Sequence, residues 1–250
     1  MSKEEARAYK SLCTEFYDLT KPLASGEEVN FYKEKLGNKT VLEAMCGSGR
    51  LLIPLLKVGL KVGGLDYSSE MLAHCQERLK EENLTSTLYE QDIEKIDLPH
   101  QYDAIIIAIG SFQLLHPRET ALKVLTKMKT FLNPGGQIFI ETFIPWEALY
   151  ENNEYEEEER EVEKNSHTKI HLRSVSHADK FYQFIKSKNF YKKIHQVKTI
   201  QSEEEELYVN WYYRYEMVYF LEKAGFKNVE LYDVNFSQNP KGIVYVGQNI

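Results

Sequence analysis

The sequence predicts an α/β protein built on a doubly wound, mostly parallel sheet with an antiparallel insertion. Short apolar or β-branched segments alternate with amphipathic helical segments through residues 1–145, and this alternation implies parallel strands joined by right-handed crossovers. The segment from Ala104 to Ala108 is apolar without interruption, which indicates burial on both faces of the sheet. Over residues 146–210 apolar and polar residues alternate instead, which predicts antiparallel strands with one solvated face.

Periodicity and capping signals place the elements of the first part. A helix over 3–20 is stopped by Pro22, and a second helix over about 25–36 begins at Ser25, with Glu28 three residues later as in a capping box. The elements that follow are a strand at 40–44, a helix at 49–58, a strand at 60–65, a helix at 70–82, strands at 84–89 and 102–108, a helix at 119–131 and, after the Pro134-Gly135-Gly136 turn, a strand at 137–143.

The remaining elements divide into an insertion and a return to the main sheet. Within the insertion, Lys169 to Ser176 and Lys192 to Thr199 are predicted strands, and the run Glu156 to Glu159 is interpreted as a solvated loop. We therefore expect one domain formed by 1–145 and 211–250, interrupted by a small sheet or lid over 146–210 that covers the substrate. The closing elements are a helix over Tyr215 to Lys223, ended by Gly225, and strands over Val229 to Val234 and Gly242 to Gly247.

Composition argues against several classes of function. The formal net charge is −7, and no basic stripe of the kind that grips a phosphate backbone is present, so a nucleic-acid substrate is disfavoured. Cys13, Cys46 and Cys75 lack metal-ligand spacing, which predicts no metal site and fits a reducing, cytoplasmic compartment. The first ten residues lack the apolar core of a signal peptide, and the apolar runs are too short to cross a bilayer, so no membrane partner is expected.

The most informative segment is a strand that runs into a glycine turn and then a helix, from Thr40 to Arg50. Gly47 and Gly49 let the backbone approach a ligand closely, and the helix start offers unpaired amides. Glu43 precedes the turn, where a negative charge disfavours a pyrophosphate but suits a ligand with an ammonium group, such as S-adenosylmethionine. The other residues of the turn that we expect to contact this ligand are Ala44, Met45, Cys46 and Arg50.

Acids also follow the next strands. Asp66, with Tyr67 after it, ends the second strand, where a carboxylate can chelate a ribose diol. Gln91-Asp92-Ile93 follows the third strand, where a carboxylate can accept from an adenine amino group. Ile109-Gly110 follows the fourth strand, beside the expected site of transfer.

In this order and spacing the motifs resemble those of the class I S-adenosylmethionine-dependent methyltransferases, particularly the small-molecule branch. The resemblance covers roughly residues 9–143 and 212–248, and it implies a seven-stranded Rossmann-like sheet. Met45 stands where the family commonly has glycine. The segments that carry the resemblance are Glu43 to Gly49, Asp66 with Ser68, Met71 and Leu72, Asp92 as the adenine contact, Leu132 to Gly136, Tyr213 to Tyr215 with Leu221 to Phe226, and Tyr17, which resembles a tyrosine that covers the cofactor.

Three functions remain open on the sequence. The first is transfer of a methyl group to a small-molecule acceptor by in-line displacement. The second is a nicotinamide-dependent oxidoreductase, which expects a third glycine near Leu52 and no acid at Glu43. The third is a non-catalytic module that binds S-adenosylmethionine.

No catalytic residue is assigned, because the activated methyl group mainly requires alignment and a dry cavity. Candidates for a general base are His116, His171 and the tyrosines of Trp211 to Tyr213, by location only. Cys46 has no histidine partner placed by the sequence, so it is expected to be a small residue beside the ligand.

Overall fold

The computed structural model describes residues 9–150, 155–237 and 239–250. The helices are α1 (Ser11–Thr20), α2 (Gly26–Leu36), α3 (Leu52–Lys57), α4 (Ser69–Glu81), α5 (Arg118–Lys129), α6 (Trp146–Tyr150) and α7 (Arg214–Lys223). The strands are β1 (Thr40–Ala44), β2 (Lys61–Asp66), β3 (Leu88–Glu90), β4 (Tyr102–Ile107), β5 (Leu132–Thr142), β6 (Tyr155–Asn165), β7 (Thr168–Asp179), β8 (Phe184–His195), β9 (Lys198–Asn210), β10 (Lys227–Phe236) and β11 (Asn239–Gln248).

The larger of two compact units, residues 23–144 and 211–250, is built on a seven-stranded sheet. Its strand order is β10-β11-β5-β4-β1-β2-β3. The five strands from β5 to β3 pair in parallel, whereas β11 is antiparallel to both β5 and β10. The predicted doubly wound, mostly parallel sheet is therefore confirmed.

Two apolar layers cover this sheet, one on each face, and β4 shows why. Ile105 and Ile107 belong to one buried cluster, which also contains residues of α5 and α7. Ala104 and Ile106 point the other way into a second cluster, with residues of α2, α3 and α4. Since successive side chains of a strand alternate between faces, an uninterrupted apolar strand is what a sheet covered on both sides requires.

Local signals mark several helix boundaries. The hydroxyl of Ser25 accepts a hydrogen bond from the backbone N–H of Glu28 at 3.3 Å, which is one half of the predicted capping box; the Glu28 carboxylate binds Arg50. Ser68 caps α4 in the same way, accepting from the Met71 N–H at 3.1 Å. Gly225 follows the end of α7 in a left-handed conformation, with φ +94°, which is the conformation that glycine commonly adopts after a helix.

Several predicted boundaries are wrong. The helix predicted from residue 49 begins at Leu52, since the preceding residues form the glycine turn. β3 is only three residues long, where 84–89 was predicted. β5 begins at Leu132 rather than after the Pro-Gly-Gly turn, and the register of β4 against β5 shifts between Tyr102 and Ala104 to accommodate that turn. The first predicted helix begins at Ser11, and its residues 3–8 lie outside the described residues.

The second unit contains the N-terminal segment up to residue 22 together with 145–210, so it is larger at its amino end than the predicted insertion. A four-stranded antiparallel sheet, β6-β7-β8-β9, forms its body. The predicted antiparallel insertion is confirmed. Apolar residues of α1, β7 and β8 form its small core: Leu12, Cys13, Phe16, Ile170, Leu172 and Tyr191.

Glutamates of β9 hold the start of α1, which has no side-chain cap of its own. The Glu203 carboxylate accepts the backbone N–H groups of Leu12 (3.0 Å) and Cys13 (3.2 Å), and Glu205 accepts that of Tyr9 (2.9 Å). Carboxylates at a helix N-terminus satisfy its free donors and oppose its positive end. This is why the N-terminal helix groups with the insertion.

Two predictions for the insertion are wrong. The run Glu156 to Glu159 is not a loop but lies inside β6. The predicted strand over 192–199 instead spans the end of β8, a turn at Gln196 and Val197, and the start of β9.

β6 and β9 are the edges of this sheet, and charged side chains along an edge discourage pairing with another chain. None of the helices that the structure describes is long and apolar enough to cross a membrane.

Candidate cofactor site at the carboxyl edge of the parallel sheet

The turn between β1 and α3 is built from residues in the left-handed region. Gly47 has φ +53° and Gly49 has φ +83°. A β-carbon at Gly49 would lie 2.8 Å from the Cys75 sulfur, so this position requires glycine for space as well as for its backbone angle. At Gly47 the nearest atom to an added β-carbon is the sulfur of buried Met71, at 3.6 Å. Met71 therefore faces the turn.

Met45 also adopts a left-handed backbone, with φ +61°. The methyltransferases that this sequence resembles commonly have glycine at this position, and Met45 keeps the left-handed backbone conformation that glycine would favour. For residues with a β-carbon, this region costs roughly 1–2 kcal/mol. The side chain is half-buried against the apolar cluster that includes Ile105.

Asp66 ties the end of β2 to the glycine turn. Its Oδ2 accepts the N–H of Gly47 at 2.8 Å and its Oδ1 accepts the N–H of Ser68 at 2.9 Å. Burial raises the pKa of Asp66, while the backbone N–H groups of Ser68, Gly47 and Tyr67 act to lower it. Because an ionised carboxylate has about four acceptor positions, Asp66 retains capacity for a further donor such as a ribose hydroxyl.

Glu43, on β1, is only 3% exposed. Burial raises its pKa to about 8; Arg50 acts to lower the pKa, and Glu28 and Asp66 act to raise it. Its Oε2 has no hydrogen-bond partner among the described residues. A buried carboxylate oxygen without a partner is costly unless a ligand satisfies it, and a cationic ligand would do so best.

The guanidinium of Arg50 is bound to Glu28 of α2, at 2.8 and 2.5 Å, with both side chains buried. Its side chain is therefore engaged within the protein, and its expected contact with the cofactor stays a prediction. This pair also leaves Glu43, Asp66 and Glu141 buried without an ion-pair partner of their own among the described contacts.

The segment after β3 is structured by its own polar side chains. The Gln91 amide exchanges two 2.9 Å hydrogen bonds with the backbone of Asp97. Asp92 is half-buried and accepts the N–H of Glu94 at 3.0 Å at the start of a short 3₁₀ helix. Ile93 belongs to the apolar core. Their expected contacts with the adenine remain predictions.

After β4 the chain turns through Ile109, at φ +45°, and Gly110, at φ +74°. A β-carbon at Gly110 would lie 2.6 Å from the Phe143 ring, so glycine is required there. Oε2 of Glu141 on β5 accepts the N–H of Ile109 at 3.0 Å. The sequence prediction omitted Glu141, although a glutamate inside the apolar run 137–143 was a detectable signal.

The remaining predicted site residues differ in their surroundings. Ala44 and Cys46 are buried, and the pKa of the Cys46 thiol is raised by burial, which disfavours a nucleophilic thiolate. Tyr67 is half-buried at the end of β2. Tyr17 belongs to α1 in the other unit, where its ring lies 6.4 Å from that of Tyr9, and its role as a cover stays a prediction.

The candidate bases are divided between the two units. His171 lies on β7 of the second unit, 3.6 Å from the Glu159 carboxylate. Tyr212 is fully buried beside Phe112, and burial raises the pKa of its hydroxyl, so it is a poor proton acceptor. No described group of three or more histidines, cysteines or carboxylates is arranged to hold a metal ion.

Comparisons with known proteins agree with this geometry. Residues 41–136 match a family model described as a methyltransferase domain, and this range contains the glycine turn, Asp66 and Asp92. A putative methyltransferase of Geobacillus sp. (strain WCH70) is 25% identical over 105 residues, 42% of this chain and 42% of that protein. The dTDP-3-amino-3,4,6-trideoxy-alpha-D-glucopyranose N,N-dimethyltransferase of Streptomyces venezuelae is 27% identical over 107 residues, 43% of this chain and 42% of that protein.

The chain thus spans about two fifths of the length of these curated relatives. The match of folds is far more extensive. A solved S-adenosylmethionine-dependent methyltransferase from Clostridium acetobutylicum ATCC 824 superposes with a TM-score of 0.74 at 16% identity, covering 94% of this chain and 96% of that chain. Residues 41–136 therefore match the methyltransferase domain model, and the chain has the Rossmann-like fold of S-adenosylmethionine-dependent methyltransferases.

Proposed function

We propose that this protein is a methyltransferase that uses S-adenosylmethionine to methylate a small-molecule acceptor. The observation that carries the proposal is the link between Glu43, Asp66 and the glycine turn at one edge of the sheet. Asp66 accepts the Gly47 N–H, and Glu43 presents a buried oxygen without a partner among the described residues. The glycine turn allows close approach to the backbone, Asp66 has an acceptor position left for a ribose hydroxyl, and the buried Glu43 oxygen suits a cationic group.

The cofactor supplies an electrophilic methyl group on a positively charged sulfur. Glu43 would accept the ammonium group of its amino-acid part, and Asp66 a ribose hydroxyl. Met71, which faces the turn at Gly47, and Asp92 would hold the adenine. Because the reaction mainly requires alignment and exclusion of water, the rest of the chain contributes a fixed edge, with Gly110 packed against Phe143.

A small acceptor is supported by what the chain lacks and by one relative. The net charge of −7 opposes a polyanionic substrate. The Streptomyces venezuelae relative bears the name of an amino-sugar dimethyltransferase, so nucleotide-linked amino sugars and other amines head the list of acceptors to test. The insertion is proposed to cover the acceptor.

Calorimetry with S-adenosylmethionine, S-adenosylhomocysteine and NAD tests the cofactor directly. We expect binding of the first two and none of NAD. Asp66→Ala should weaken S-adenosylmethionine binding by at least about tenfold, since hydrogen bonds to charged groups contribute roughly 1.5–3 kcal/mol. Unchanged affinity would reject the role of Asp66, and binding of NAD alone would favour the oxidoreductase.

Asp103 offers a matched control. It lies at the amino end of β4 and accepts the N–H (2.8 Å) and hydroxyl (2.7 Å) of Thr40, so it is a hydrogen-bonded carboxylate at the opposite edge of the same sheet. Asp103→Ala should lower stability and leave cofactor affinity unchanged. A mass-shift screen of metabolite pools with the full-length protein then tests methyl transfer. A protein that binds the cofactor but methylates nothing in such a screen would be a binding module.

A further inference from the structure

Glu141 lies in the interior of the sheet, yet it carries a carboxylate that is only 1% exposed. It is on β5, beside Val244 of β11 in the register, and the neighbouring Ile140 pairs with Ile107 of β4. Burial raises the pKa of Glu141. A charged residue at such a position is rare unless its oxygens have specific partners.

Both oxygens of Glu141 have such partners. Oε2 accepts the N–H of Ile109 at 3.0 Å, and Oε1 accepts an N–H of the Asn239 amide at 2.8 Å. The backbone oxygen of Glu141 accepts the N–H of Gly110 at 3.1 Å. One residue therefore binds two successive amides of the turn that follows β4.

That turn contains a residue whose side chain is unfavourable in the backbone conformation it adopts. Ile109 is β-branched and has φ +45°, a combination that is uncommon outside strained or functional positions. The following Gly110 is also left-handed, and it has no room for a β-carbon beside Phe143. Ile109 therefore needs an external group to hold it in place.

A second pair of hydrogen bonds holds the same segment at its other end. The Gln113 side chain donates to the backbone oxygen of Phe143 at 3.0 Å and accepts its N–H at 2.8 Å. Residues 109–113 are thus bound to 141–143 at both ends. Ile109 is the part of the segment nearest the end of β4, which pairs with β1 in the sheet.

We propose that Glu141 is a positioning residue that holds the Ile109–Gly110 turn in its left-handed conformation at the cofactor edge. The expected effect of Glu141 on methyl transfer rests on the proposed function, because the Ile109–Gly110 turn is linked to the glycine turn only by the pairing of β4 with β1. Its effect on the backbone of Ile109 does not depend on any ligand.

Amide hydrogen exchange at Ile109 and Gly110 tests the claim in the free protein. Glu141→Leu should make exchange at Ile109 at least about tenfold faster, since a hydrogen bond to a buried charged acceptor is lost. Glu141→Gln should restore protection, because its amide oxygen can accept from Ile109 while its NH₂ donates to the Asn239 oxygen after that amide turns over. Glu141→Met serves as the apolar variant if Glu141→Leu does not fold.

Thr142→Val is the matched control at the next, equally buried position of β5, and it should leave exchange at Ile109 as in the unmodified protein. Equal protection of Ile109 in Glu141→Leu and Thr142→Val would overturn the proposal. So would a failure of Glu141→Gln to protect better than the apolar variant, since a role in filling space alone predicts no rescue.

The functional arm uses the same variants. S-adenosylmethionine should bind at least severalfold more weakly to Glu141→Leu, and kcat should fall more than the KM of the acceptor rises. Adding Ile109→Gly should recover part of the affinity, because glycine takes φ +45° without strain; no recovery would contradict positioning through Ile109. If the unmodified protein does not bind S-adenosylmethionine, the proposed function fails, while hydrogen exchange still decides the role of Glu141.

Discussion

The two units use acidic residues in opposite ways. On the four-stranded sheet, exposed glutamates face cations of the neighbouring strand: Glu157 contacts Arg173, Glu161 contacts Lys169 at 2.8 Å, and Glu206 contacts Lys186 at 2.9 Å. At the carboxyl edge of the seven-stranded sheet, four carboxylates are buried. Among the described contacts, Arg50 pairs with one of them, Glu28. The four are Glu28, Glu43, Asp66 and Glu141.

The two groups of carboxylates differ in their surroundings: the first are exposed and paired with cations, and the second are buried. Surface ion pairs contribute little to stability, and here they line the edge strands β6 and β9, where charge opposes edge-to-edge association. The buried Oε2 of Glu43 has no hydrogen-bond partner among the described residues; such an oxygen is costly, and we propose that a cationic ligand compensates it. Measurements on members of both groups test this distinction.

Glu43→Gln should give the largest effect, and it should depend on pH. Glu43 has an unfolded-state pKa near 4.5 and a folded-state pKa of about 8. Between these values the folded protein keeps a proton that the unfolded chain has lost, so stability falls as pH rises, by up to about 1.4 kcal/mol per pH unit. The variant lacks this slope and should exceed the unmodified protein in stability most at pH 8 and above. Urea unfolding from pH 5 to 9 measures the difference.

Glu28→Gln is the control for this experiment. It removes a buried carboxylate that does have a cation, 2.8 Å from Arg50, and leaves the guanidinium without its partner. It should therefore destabilise the protein throughout the pH range. A stabilising Glu28→Gln, or a Glu43→Gln difference that does not grow with pH, would show that the buried carboxylates do not differ as the comparison requires.

The sequence was sufficient for the parts of the fold that local chemistry determines. Uninterrupted apolar strands, the glycine turn and the N-cap at Ser25 each have a short-range cause, and β1, α2 and the overall sheet followed from them. The inserted hairpins were harder. Their turns at Gln183 and Gln196 use left-handed glutamines, with φ +59° and +54°, so no glycine or asparagine marked the break between β8 and β9.

The candidate site was predictable only in outline. Asp66 follows a recognisable strand, so its position was expected, and the structure adds its bond to Gly47. The partners of Arg50 and Ile109 are 22 and 32 residues away, and no local pattern specifies such contacts. For the same reason the glutamates of β6 were interpreted as a loop, since the cations that face them belong to the next strand.

Backbone conformation gives the next comparison, with a smaller expected effect. In the inserted sheet the left-handed residues are at hairpin turns, whereas Met45 is half-buried beside the candidate site. Met45→Ala keeps the β-carbon and loses packing, while Met45→Gly loses both. We expect the glycine variant to be more stable than the alanine variant by about 1 kcal/mol, since only the β-carbon is unfavourable at this φ. Thermal unfolding of the pair isolates this term, and an alanine variant as stable as the glycine variant would remove Met45 from the strained positions.

Glu161→Gln should give the smallest change and completes the comparison. Glu161 and Lys169 are both well exposed, with 45% and 39% of their side-chain surface accessible at a separation of 2.8 Å. Water already solvates both charges, so losing the pair should cost less than about 1 kcal/mol. The cost should shrink further in high salt, which screens exposed charges. Urea unfolding at low and high ionic strength measures both. A destabilisation that is large or independent of salt would mean that exposed carboxylates stabilise the inserted sheet as strongly as buried groups do. Glu161 and Glu43 would then differ only in burial, and the cation beside Glu161 would not explain the difference.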